Sequence, residues 1–429
     1  MAGEWRETTL GEVTNFLSGG TPAKDHADYW NGKVPWVSAK DMKRFRLDDT
    51  EDHVTEEGVA NGTRIVPAGS VLLLARGMTL LNDVPICVVN RPMTFNQDVK
   101  ALRPNPGICV DYLPYLLLGN KERLLNLVDL AGHGTGRLNS DELKALDLVL
   151  PPQLEQRAIA HILGTLDDKI ELNRRMNETL EAIARALFKS WFVDFDPVRA
   201  KAERRDTGLS EPLADLFPDS FEDSELGEIP KGWLFAPLPE VIEVNPSRPL
   251  RRGDVAPYLD MANMPTHGHS PDTVIERAFG SGMRFMNGDT LVARITPCLE
   301  NGKTAYVDFL KEGQVAWGST EYIVLRPKPP LPTEYAYCLA RSDPFRDFAI
   351  QSMTGSSGRQ RVPAESLSHF LVACPSKEVA DLFGKLVKPL FARASAATAE
   401  TNSLARLRDT LLPKLISGDL RVNDATRMI

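Results

Sequence analysis

Apolar residues recur at three- and four-residue steps in two long stretches of the chain, residues 154–192 and 383–415. This spacing is typical of helices that carry one continuous apolar stripe. The first stretch follows Pro151 and Pro152, where proline can open a helix. About 40 residues at about 1.5 Å per residue would form a helix roughly 60 Å long. The stripe of the first stretch consists of Ile159, Ile162, Leu163, Leu166, Ile170, Met176, Leu180, Ile183, Leu187 and Trp191, and that of the second consists of Phe383, Leu386, Val387, Leu390, Ala394, Leu404, Leu407, Leu411 and Leu415.

The second stretch is a copy of the first. Residues 134–193 align without a gap with residues 358–417, and shorter matches upstream occur in the same order in both halves. Self-similarity of this kind marks an internal repeat. Each half is therefore predicted to be a strand-rich globular segment followed by a long helix, which is an α+β architecture. The aligned pairs include Gly134 with Gly358, Arg137 with Arg361, Leu143 with Leu367, Pro151 with Pro375, Leu180 with Leu404 and Leu187 with Leu411.

A long helix with one apolar stripe needs a partner, and the simplest partner is the other copy. Repeated halves related by a pseudo-two-fold axis would place the two helices antiparallel, like a coiled coil. The globular segments would then lie at opposite ends of the pair. Two-fold arrangements are used to read two half-sites on DNA, and helices of this length would separate the segments by one to two turns of B-DNA. A two-domain protein with a plain helical connector is the alternative.

Composition fits a globular protein of several domains. The chain has 429 residues, of which 42% are hydrophobic and 25% are charged. Its formal net charge is −8, and the acidic excess lies largely within residues 151–225. Neutralising phosphates supplies much of the affinity of proteins for DNA. If the chain reads DNA, we therefore expect partner subunits to supply much of the electrostatic attraction.

The sequence predicts a cytoplasmic location. The most apolar run, residues 71–89, is interrupted by Arg76 and Asp83, so it reads as buried strands instead of a membrane span. No charged stretch followed by an apolar one stands at the N-terminus, so no secretory signal is expected. Five scattered cysteines without a C-x-x-C pair are typical of buried thiols in a reducing compartment.

Several short motifs, in their order along this duplicated chain, resemble the specificity subunit of Type I restriction-modification systems. Each motif is weak alone, but the order is specific and the resemblance covers almost the whole chain. The motifs are Gly19-Gly20-Thr21-Pro22, Tyr29-Trp30-Asn31-Gly32, the Pro35–Met42 run, Phe95-Asn96-Gln97-Asp98, the Pro151–Arg157 run, the Ser190–Pro197 run and the Leu412–Gly418 run.

The resemblance implies two target-recognition domains, residues 1–150 and 226–374, each reading one part of a split DNA sequence. It also implies a central helix at 151–195, a linker at 196–225 and a C-terminal helix at 375–420. In such proteins the helices hold two modification subunits, and restriction subunits join them. S-adenosylmethionine, ATP and Mg²⁺ are expected only on those partners, which would methylate adenine and cleave DNA.

The second half departs from the motifs of the first. Asn245-Pro246 stands in place of Ser18 to Thr21, and residues 257–261 replace the run from Trp36 to Lys40. Recognition domains that read different bases differ in this way. The two half-sites are therefore expected to differ in sequence.

The best candidates for DNA contact lie in two glycine-containing loops, residues 134–137 and 358–361. Glycine permits close backbone approach, and arginine can bind a phosphate or fork onto guanine. A structural turn with a locally paired arginine is an equal alternative, and for Trp36 and Tyr258 burial is favoured over base stacking. The complete set of expected DNA-binding residues is Gly20, Thr21, Lys40, Arg76, Thr135, Arg137, Arg294, Arg359 and Arg361.

No catalytic motif is complete in the sequence. The pairs Asn105-Pro106 and Asn245-Pro246 do not continue into the Asn-Pro-Pro-Tyr loop that holds a target base. Gly302-Lys303-Thr304 resembles the end of a phosphate-binding loop, but Pro297 occupies the position of its first glycine. His267 and His269 have no further ligand nearby in sequence, which favours a surface turn over a metal site.

The sequence therefore predicts a non-catalytic protein that binds DNA and assembles enzymatic partners. A protein-protein scaffold with two peptide-binding domains on a helical spacer is the main alternative. A self-contained restriction-modification enzyme is disfavoured, because its methyl-donor and nuclease motifs are missing.

Overall fold

A computed structural model of the chain describes residues 5–131, 134–224, 227–271, 273–356 and 358–425. The chain divides into two compact units. The first unit comprises the residues up to Ile170 together with those from Ser403 onward, and the second comprises Glu171–Asn402. We call the strand-rich part of the first unit the first head, and that of the second unit the second head.

The first head is built from short strands and short helices that precede the first long helix. Its strands are β1 (Arg6–Thr9), β2 (Thr14–Ser18), β3 (Trp30–Val37), β4 (Arg46–Leu47), β5 (His53–Val54), β6 (Ile65–Val66), β7 (Val71–Leu74), β8 (Arg76–Gly77), β9 (Ile86–Val89), β10 (Met93–Phe95), β11 (Val99–Pro104), β12 (Val128–Ala131), β13 (Thr135–Leu138) and β14 (Asp147–Leu150). Its helices are α1 (Leu10–Val13), α2 (Glu56–Gly62), α3 (Leu113–Gly119), α4 (Lys121–Asn126) and α5 (Ser140–Lys144), and the long helix is α6 (Gln153–Phe192).

These strands form sheets in the orders β5-β3-β10-β6, β2-β11-β7-β9-β4, β12-β13-β8 and β1-β14. All four residues of β7 are buried, which is why this strand reads as a continuous apolar run. Strand β1 pairs antiparallel with β14, so that Arg6 lies opposite Leu150. The beginning of the head is thereby joined to the strand that leads directly into α6.

The second head follows α6 and a short helical connection. Its strands are β15 (Phe221–Ser224), β16 (Gly227–Pro230), β17 (Leu234–Pro237), β18 (Ile242–Val244), β19 (Val255–Leu259), β20 (Ile275–Ala278), β21 (Met283–Met286), β22 (Thr290–Ala293), β23 (Thr304–Tyr306), β24 (Val315–Gly318), β25 (Tyr322–Pro327) and β26 (Leu371–Cys374). The helices are α7 (Asp196–Ala202), α8 (Glu211–Ala214), α9 (Leu238–Val241), α10 (Thr333–Ala340) and α11 (Asp343–Gln351), followed by the long helix α12 (Lys377–Ser417) and α13 (Val422–Ala425).

The second head repeats the sheet plan of the first. Its sheets run β18-β25-β22-β23, β20-β19-β24-β21 and β17-β26, with the hairpin β15-β16 added. The parallel pair β19-β24, in which Tyr258 lies opposite Trp317, corresponds to β3-β10, in which Trp36 lies opposite Thr94. Strand β17 pairs with β26 as β1 pairs with β14. The predicted α+β internal repeat is confirmed.

In the first unit, the beginning of α6 packs antiparallel against the end of α12. Arg408 binds Asp167 at 2.7 Å, and Arg421, just beyond α12, binds Glu155 at 3.2 Å. Residue numbers therefore rise along one helix as they fall along the other. Ile159, Leu163 and Leu166 join Leu411 and Leu415 in the core of this unit, as the stripe predicted.

In the second unit, the end of α6 packs antiparallel against the beginning of α12. Asn173 Nδ2 donates to Glu400 Oε2 at 2.8 Å, and Asn177 Nδ2 donates to Thr398 Oγ1 at 2.9 Å. Farther along, the rings of Phe192 and Phe383 lie 5.0 Å apart. The predicted antiparallel pairing is therefore present in each unit by itself.

An aromatic cluster explains the Ser190–Pro197 motif. Phe188, Trp191 and Phe192 at the end of α6 are buried against Tyr335 of α10 and Phe383 of α12. Rings in edge contact add about 0.5–1.5 kcal/mol per pair to the free energy of burial. The motif thus fixes the end of α6 to the second head and to α12.

The buried face of α6 differs from the predicted stripe in its second half. Asn173, Glu181 and Ala184 are buried there, whereas Leu172 is 59% exposed and Ile183 is 44% exposed. The prediction for Ile183 was wrong, because hydrogen bonds to α12 make the asparagine face the buried one. Apolar side chains on the other face are left uncovered within the described chain.

No helix in the described ranges combines the length and the apolar composition that a bilayer-spanning segment requires.

Candidate nucleic-acid interface

The Gly19-Gly20-Thr21-Pro22 segment packs tightly against the strand β10 region. Gly20 N donates to Phe95 O at 2.9 Å, and Trp36 Nε1 donates to Gly20 O at 3.0 Å. A Cβ atom on Gly20 would lie 2.2 Å from the carbonyl oxygen of Gly62, which only glycine avoids. Thr21 Oγ1 donates to Gln97 Oε1. Three motifs that are distant in sequence therefore form one packed corner, and Trp36 is only 6% exposed, as predicted.

Lys40 is neutralised by two carboxylates. Its ammonium lies 2.9 Å from Asp52 and 3.1 Å from Glu51. The hydrogen bond that Lys40 donates to Asp52 raises the pKa of Lys40 above its ordinary value. A DNA phosphate would have to displace these partners.

Arg76 and Arg137 lie side by side on an exposed sheet surface. They are direct partners in the antiparallel pair β8-β13, and Asp129 lies opposite Arg137 on the other side, in β12. Both arginines are exposed, and neither forms an ion pair within the described ranges. Like charges placed directly opposite each other destabilise a sheet. An anion bound beside the two guanidinium groups would relieve this repulsion. Thr135 begins β13 and is half-buried.

The equivalent arginine of the second head is held by a carboxylate. Arg361 Nη2 lies 2.8 Å from Glu321 Oε1, and Arg294 Nε lies 3.4 Å from Glu321 Oε2. The hydrogen bond from Arg361 is the main cause that lowers the pKa of Glu321. Arg359 is exposed beside this cluster. The fold thus brings Arg361 and Arg294 together, but both bind the carboxylate of Glu321.

Backbone pairing shows which positions of the two heads correspond. Leu138 N donates to Ala75 O at 2.9 Å, and Val362 N donates to Arg294 O at the same distance, 2.9 Å. Ala75 therefore corresponds to Arg294. Arg76 in turn corresponds to Ile295, which bridges to Arg361. Gly134 and Gly358 both have positive φ angles, 73° and 78°, so the two loops do share the turn that the alignment predicts.

The Gly302-Lys303-Thr304 segment has a structural role. Lys303 Nζ donates to Met261 O at 2.6 Å, so the lysine is directed into the protein. Arg341, at the end of α10, donates to the carbonyl oxygens of Gly302 and Thr304 at 2.9 and 3.0 Å. His269 is buried beside Asp308, with 3.3 Å between them. No cluster of three potential metal-binding side chains occurs among the described residues.

Sequence reasoning missed a surface on the second head. Arg277 lies over the rings of Tyr258 and Trp317, with its Cζ atom 4.7 and 5.7 Å from the ring centroids. Arg284 lies over Phe279 at 5.9 Å. The available signal in the sequence was the alternation of Ile275, Arg277 and Phe279, because residues two apart along an extended segment lie on the same face of a sheet.

Replacing Glu321 with Gln is expected to make the unfolding free energy of the second head less dependent on pH. The folded-state pKa of Glu321 lies below its ordinary value of 4.5. A lowered carboxyl pKa contributes stability above the unfolded pKa, and this contribution is lost as the pH falls through the folded pKa. The wild-type advantage in unfolding free energy should be full at pH 6 and shrink below about pH 4.5. Glu312→Gln, at an exposed turn, is the control. If the difference in unfolding free energy between the wild-type chain and the Glu321→Gln variant stays constant from pH 3 to pH 6, this role of Glu321 is contradicted.

The chain has two strand-rich heads that share one sheet plan, and each head is followed by a long helix. The arginine surfaces of the two heads differ. These features define a duplicated recognition protein. The family model for the Type I restriction modification DNA specificity domain matches residues 2–182. The chain therefore contains the DNA specificity domain of Type I restriction-modification systems, and its relatives are specificity subunits of such systems.

Relatives match along nearly the whole chain. The Type I restriction enzyme MjaIX specificity subunit of Methanocaldococcus jannaschii is 26% identical over 98% of this chain and 94% of its own. The HindI specificity subunit of Haemophilus influenzae is 24% identical over 97% of this chain and 100% of its own. The crystal structure of the S subunit from M. genitalium has a TM-score of 0.55 at 16% identity and covers 96% of both chains, which shows the shared fold.

Proposed function

We propose that the chain reads a split DNA sequence and assembles the enzymatic subunits of a Type I restriction-modification complex, without catalysing a reaction itself. The first domain, 1–150, reads one half-site, and the second domain, 226–374, reads the other. Helical segments 151–195 and 375–420 set the unread gap, and 196–225 links the halves. The observation that carries this proposal is the repeat of one sheet plan in two heads, each joined to its own long helix.

The two half-sites differ in sequence. The heads share their strand order but differ in the side chains at matched positions, since Ile295 replaces Arg76 and Glu321 holds Arg361. Direct readout of bases depends on such side chains, because each base pair presents its own pattern of donors and acceptors. Unlike surfaces on like frameworks therefore favour an asymmetric, bipartite target.

The long helices hold two modification subunits, which restriction subunits then join. The support is the uncovered apolar side chains of α6, including Leu154, Leu172 and Ile183. Exposed apolar stripes of this kind mark protein interfaces. The partners carry S-adenosylmethionine, ATP and Mg²⁺, and they supply positive potential that this acidic chain lacks. The complex works in the cytoplasm.

Mapping methylated adenines across the genome of the source cell tests this function. Cells with the chain should show one bipartite motif with a fixed gap, and cells without it should lose methylation at that motif. A purified complex with the methyltransferase encoded by the neighbouring gene should bind the mapped motif selectively in gel shifts. If cells without the chain keep methylation at every motif, or if no sequence-selective complex forms, a peptide-binding scaffold would be favoured. Methyl transfer by the isolated chain would contradict a non-catalytic role.

Arg137→Ala and Arg361→Ala separate base reading from phosphate binding. If the side chain forks onto a base, each variant should weaken binding about 5- to 150-fold and relax selectivity in one half-site only. An equal loss on all sequences would instead assign the arginine to a phosphate. Affinity for duplexes with single changes in either half-site provides the measurement. Arg205→Ala is the matched control, because Arg205 is exposed and bound to Glu203 outside both heads.

A further inference from the structure

One face of the sheet β20-β19-β24-β21 carries two arginines and three aromatic rings. Tyr258, Trp317 and Arg284 are direct neighbours across three strands. Arg277, on the edge strand β20, pairs with Ala256, which lies two residues before Tyr258 on the same face. Phe279 follows β20 on the same side. We call Tyr258, Arg277, Phe279, Arg284 and Trp317 the arginine-aromatic face.

The rings hold the guanidinium groups in place. The ring centroids of Tyr258 and Trp317 lie 4.4 Å apart, and those of Phe279 and Trp317 lie 5.4 Å apart. Trp317 Nε1 donates to Arg277 O at 3.2 Å, which fixes the edge strand beneath its arginine. A guanidinium over an aromatic face keeps its in-plane N–H groups free for an acceptor. Stacking therefore lowers the entropy that Arg277 and Arg284 would lose on binding a ligand.

Neither guanidinium is neutralised by a carboxylate in the described part of the chain. By contrast, Arg248 and Arg326 of the same head bind Asp289 at 2.9 and 3.1 Å. Asp260, the carboxylate at the edge of the face, accepts from the Tyr258 hydroxyl at 3.3 Å and from the Ala262 amide at 2.8 Å. Glu276 alternates with Arg277 and points to the opposite side of the sheet. The face therefore presents two unpaired positive charges on a chain whose net charge is −8.

In the first head, residues of the head itself contact the corresponding face. Trp36, which matches Tyr258 in register, donates from Nε1 to Gly20 O, and Trp30 packs edge-on against it at 5.1 Å. The second head has Asn245-Pro246 in place of that glycine segment. Arginines that lie over aromatic rings on this face are thus particular to the second head.

We propose that the arginine-aromatic face binds the phosphate backbone of the duplex read by the second head. This inference rests on the proposed DNA-reading function and deepens it. Planar guanidinium groups match phosphate oxygens, and phosphate contacts fix the register of a protein on DNA. The outer strands of a four-stranded sheet lie about 14 Å apart, so Arg277 and Arg284 contact separate phosphates.

The test measures the affinity of the assembled complex, formed with the methyltransferase of the neighbouring gene, for a fluorescent duplex that carries the mapped motif. Arg277→Ala and Arg284→Ala should each lower affinity about tenfold, equally for matched and altered second half-sites. Each should also reduce the slope of log affinity against log salt by about 0.9. Lys231→Ala, at an exposed turn of the same unit, is the control and should change neither quantity. Arg277→Lys keeps the charge and should keep the salt slope.

Phenylglyoxal modification of the unsubstituted complex, read by mass spectrometry, tests the face without any variant. Arg277 and Arg284 should be protected by the duplex, whereas Arg205 should not. Equal modification with and without DNA, or unchanged affinity and slope in both alanine variants, would overturn the inference. A loss confined to one second-half-site sequence would also overturn it, because that pattern belongs to base reading. If the unsubstituted complex shows no selective binding, the proposed function itself fails.

Discussion

Arg341→Ala is expected to unfold the second unit at a much lower urea concentration than the unsubstituted chain. Arg341 is 6% exposed and donates to the carbonyl oxygens of Thr266, Gly268, Gly302 and Thr304 at 2.6, 2.7, 2.9 and 3.0 Å. One side chain therefore fixes two loops to the end of α10. Removing it leaves several shielded acceptors without a donor and opens a cavity, with a total cost of more than about 4 kcal/mol.

Urea unfolding followed by tryptophan fluorescence measures this effect, since Trp233 and Trp317 both belong to the second unit. Arg346→Ala is the matched control, because Arg346 lies on the next helix and its side chain donates, among the described residues, to a single carbonyl oxygen, that of Glu300, at 3.2 Å. It should cost about 1 kcal/mol. Arg341→Lys keeps the charge but cannot reach four carbonyls, so it should resemble the alanine variant. A midpoint for Arg341→Ala equal to that of Arg346→Ala would show that the loops are held by other contacts.

Removing residues 175–178 from α6 together with residues 399–402 from α12 is expected to shorten the unread gap of the DNA target by about two base pairs. Four residues contribute about 6 Å of helix, and one base pair of B-DNA contributes about 3.4 Å. The two segments are equivalent in the repeat. Asn173 lies against Ala397, its own counterpart, at 3.5 Å. Because equal lengths are removed on both sides of this contact, the remaining turns stay in register.

The gap is measured by methylation of duplexes in which the two half-sites are separated by different numbers of base pairs. Removing residues 175–178 alone is the control. This single deletion shifts one part of α6 along α12, so that Asn173 and Phe192 cannot both keep their partners on α12. That variant should lose stability in thermal unfolding and activity at every gap. If the paired deletion methylates duplexes with the original gap as before, the helices do not set the spacing.

Much of the helical framework could be predicted from the sequence, because an apolar repeat of three and four residues is a local property of the chain. The antiparallel pairing followed from the repeat, and contacts such as Asp167 with Arg408 confirm it. The exact buried face did not follow. Asn173 and Glu181 are buried while Leu172 is exposed. Asn173 Nδ2 donates to Glu400 of α12, and Glu181 lies 4.0 Å from Arg185 on its own helix, so polar partners as well as hydrophobicity decide which face is buried.

The candidate site could be predicted only in part. The glycine turns at 134 and 358 have the backbone geometry that their sequence indicates. The environment of each arginine could not be predicted, because strands far apart in sequence supply its neighbours. Arg361 and Glu321 are 40 residues apart, and Arg277 meets Trp317 at the same separation.

The sequence by itself determined the duplicated plan, the two long helices and the resemblance to specificity subunits, since these depend on periodicity and on motif order. The tertiary structure alone decided which cations are neutralised, as Lys40 and Arg361 are, and which face solvent, as Arg76, Arg137 and Arg277 do. The reason is physical. Whether a charge is available to DNA depends on the groups within about 4 Å of it, and the register of strand pairing, which is set by the whole fold, chooses those groups.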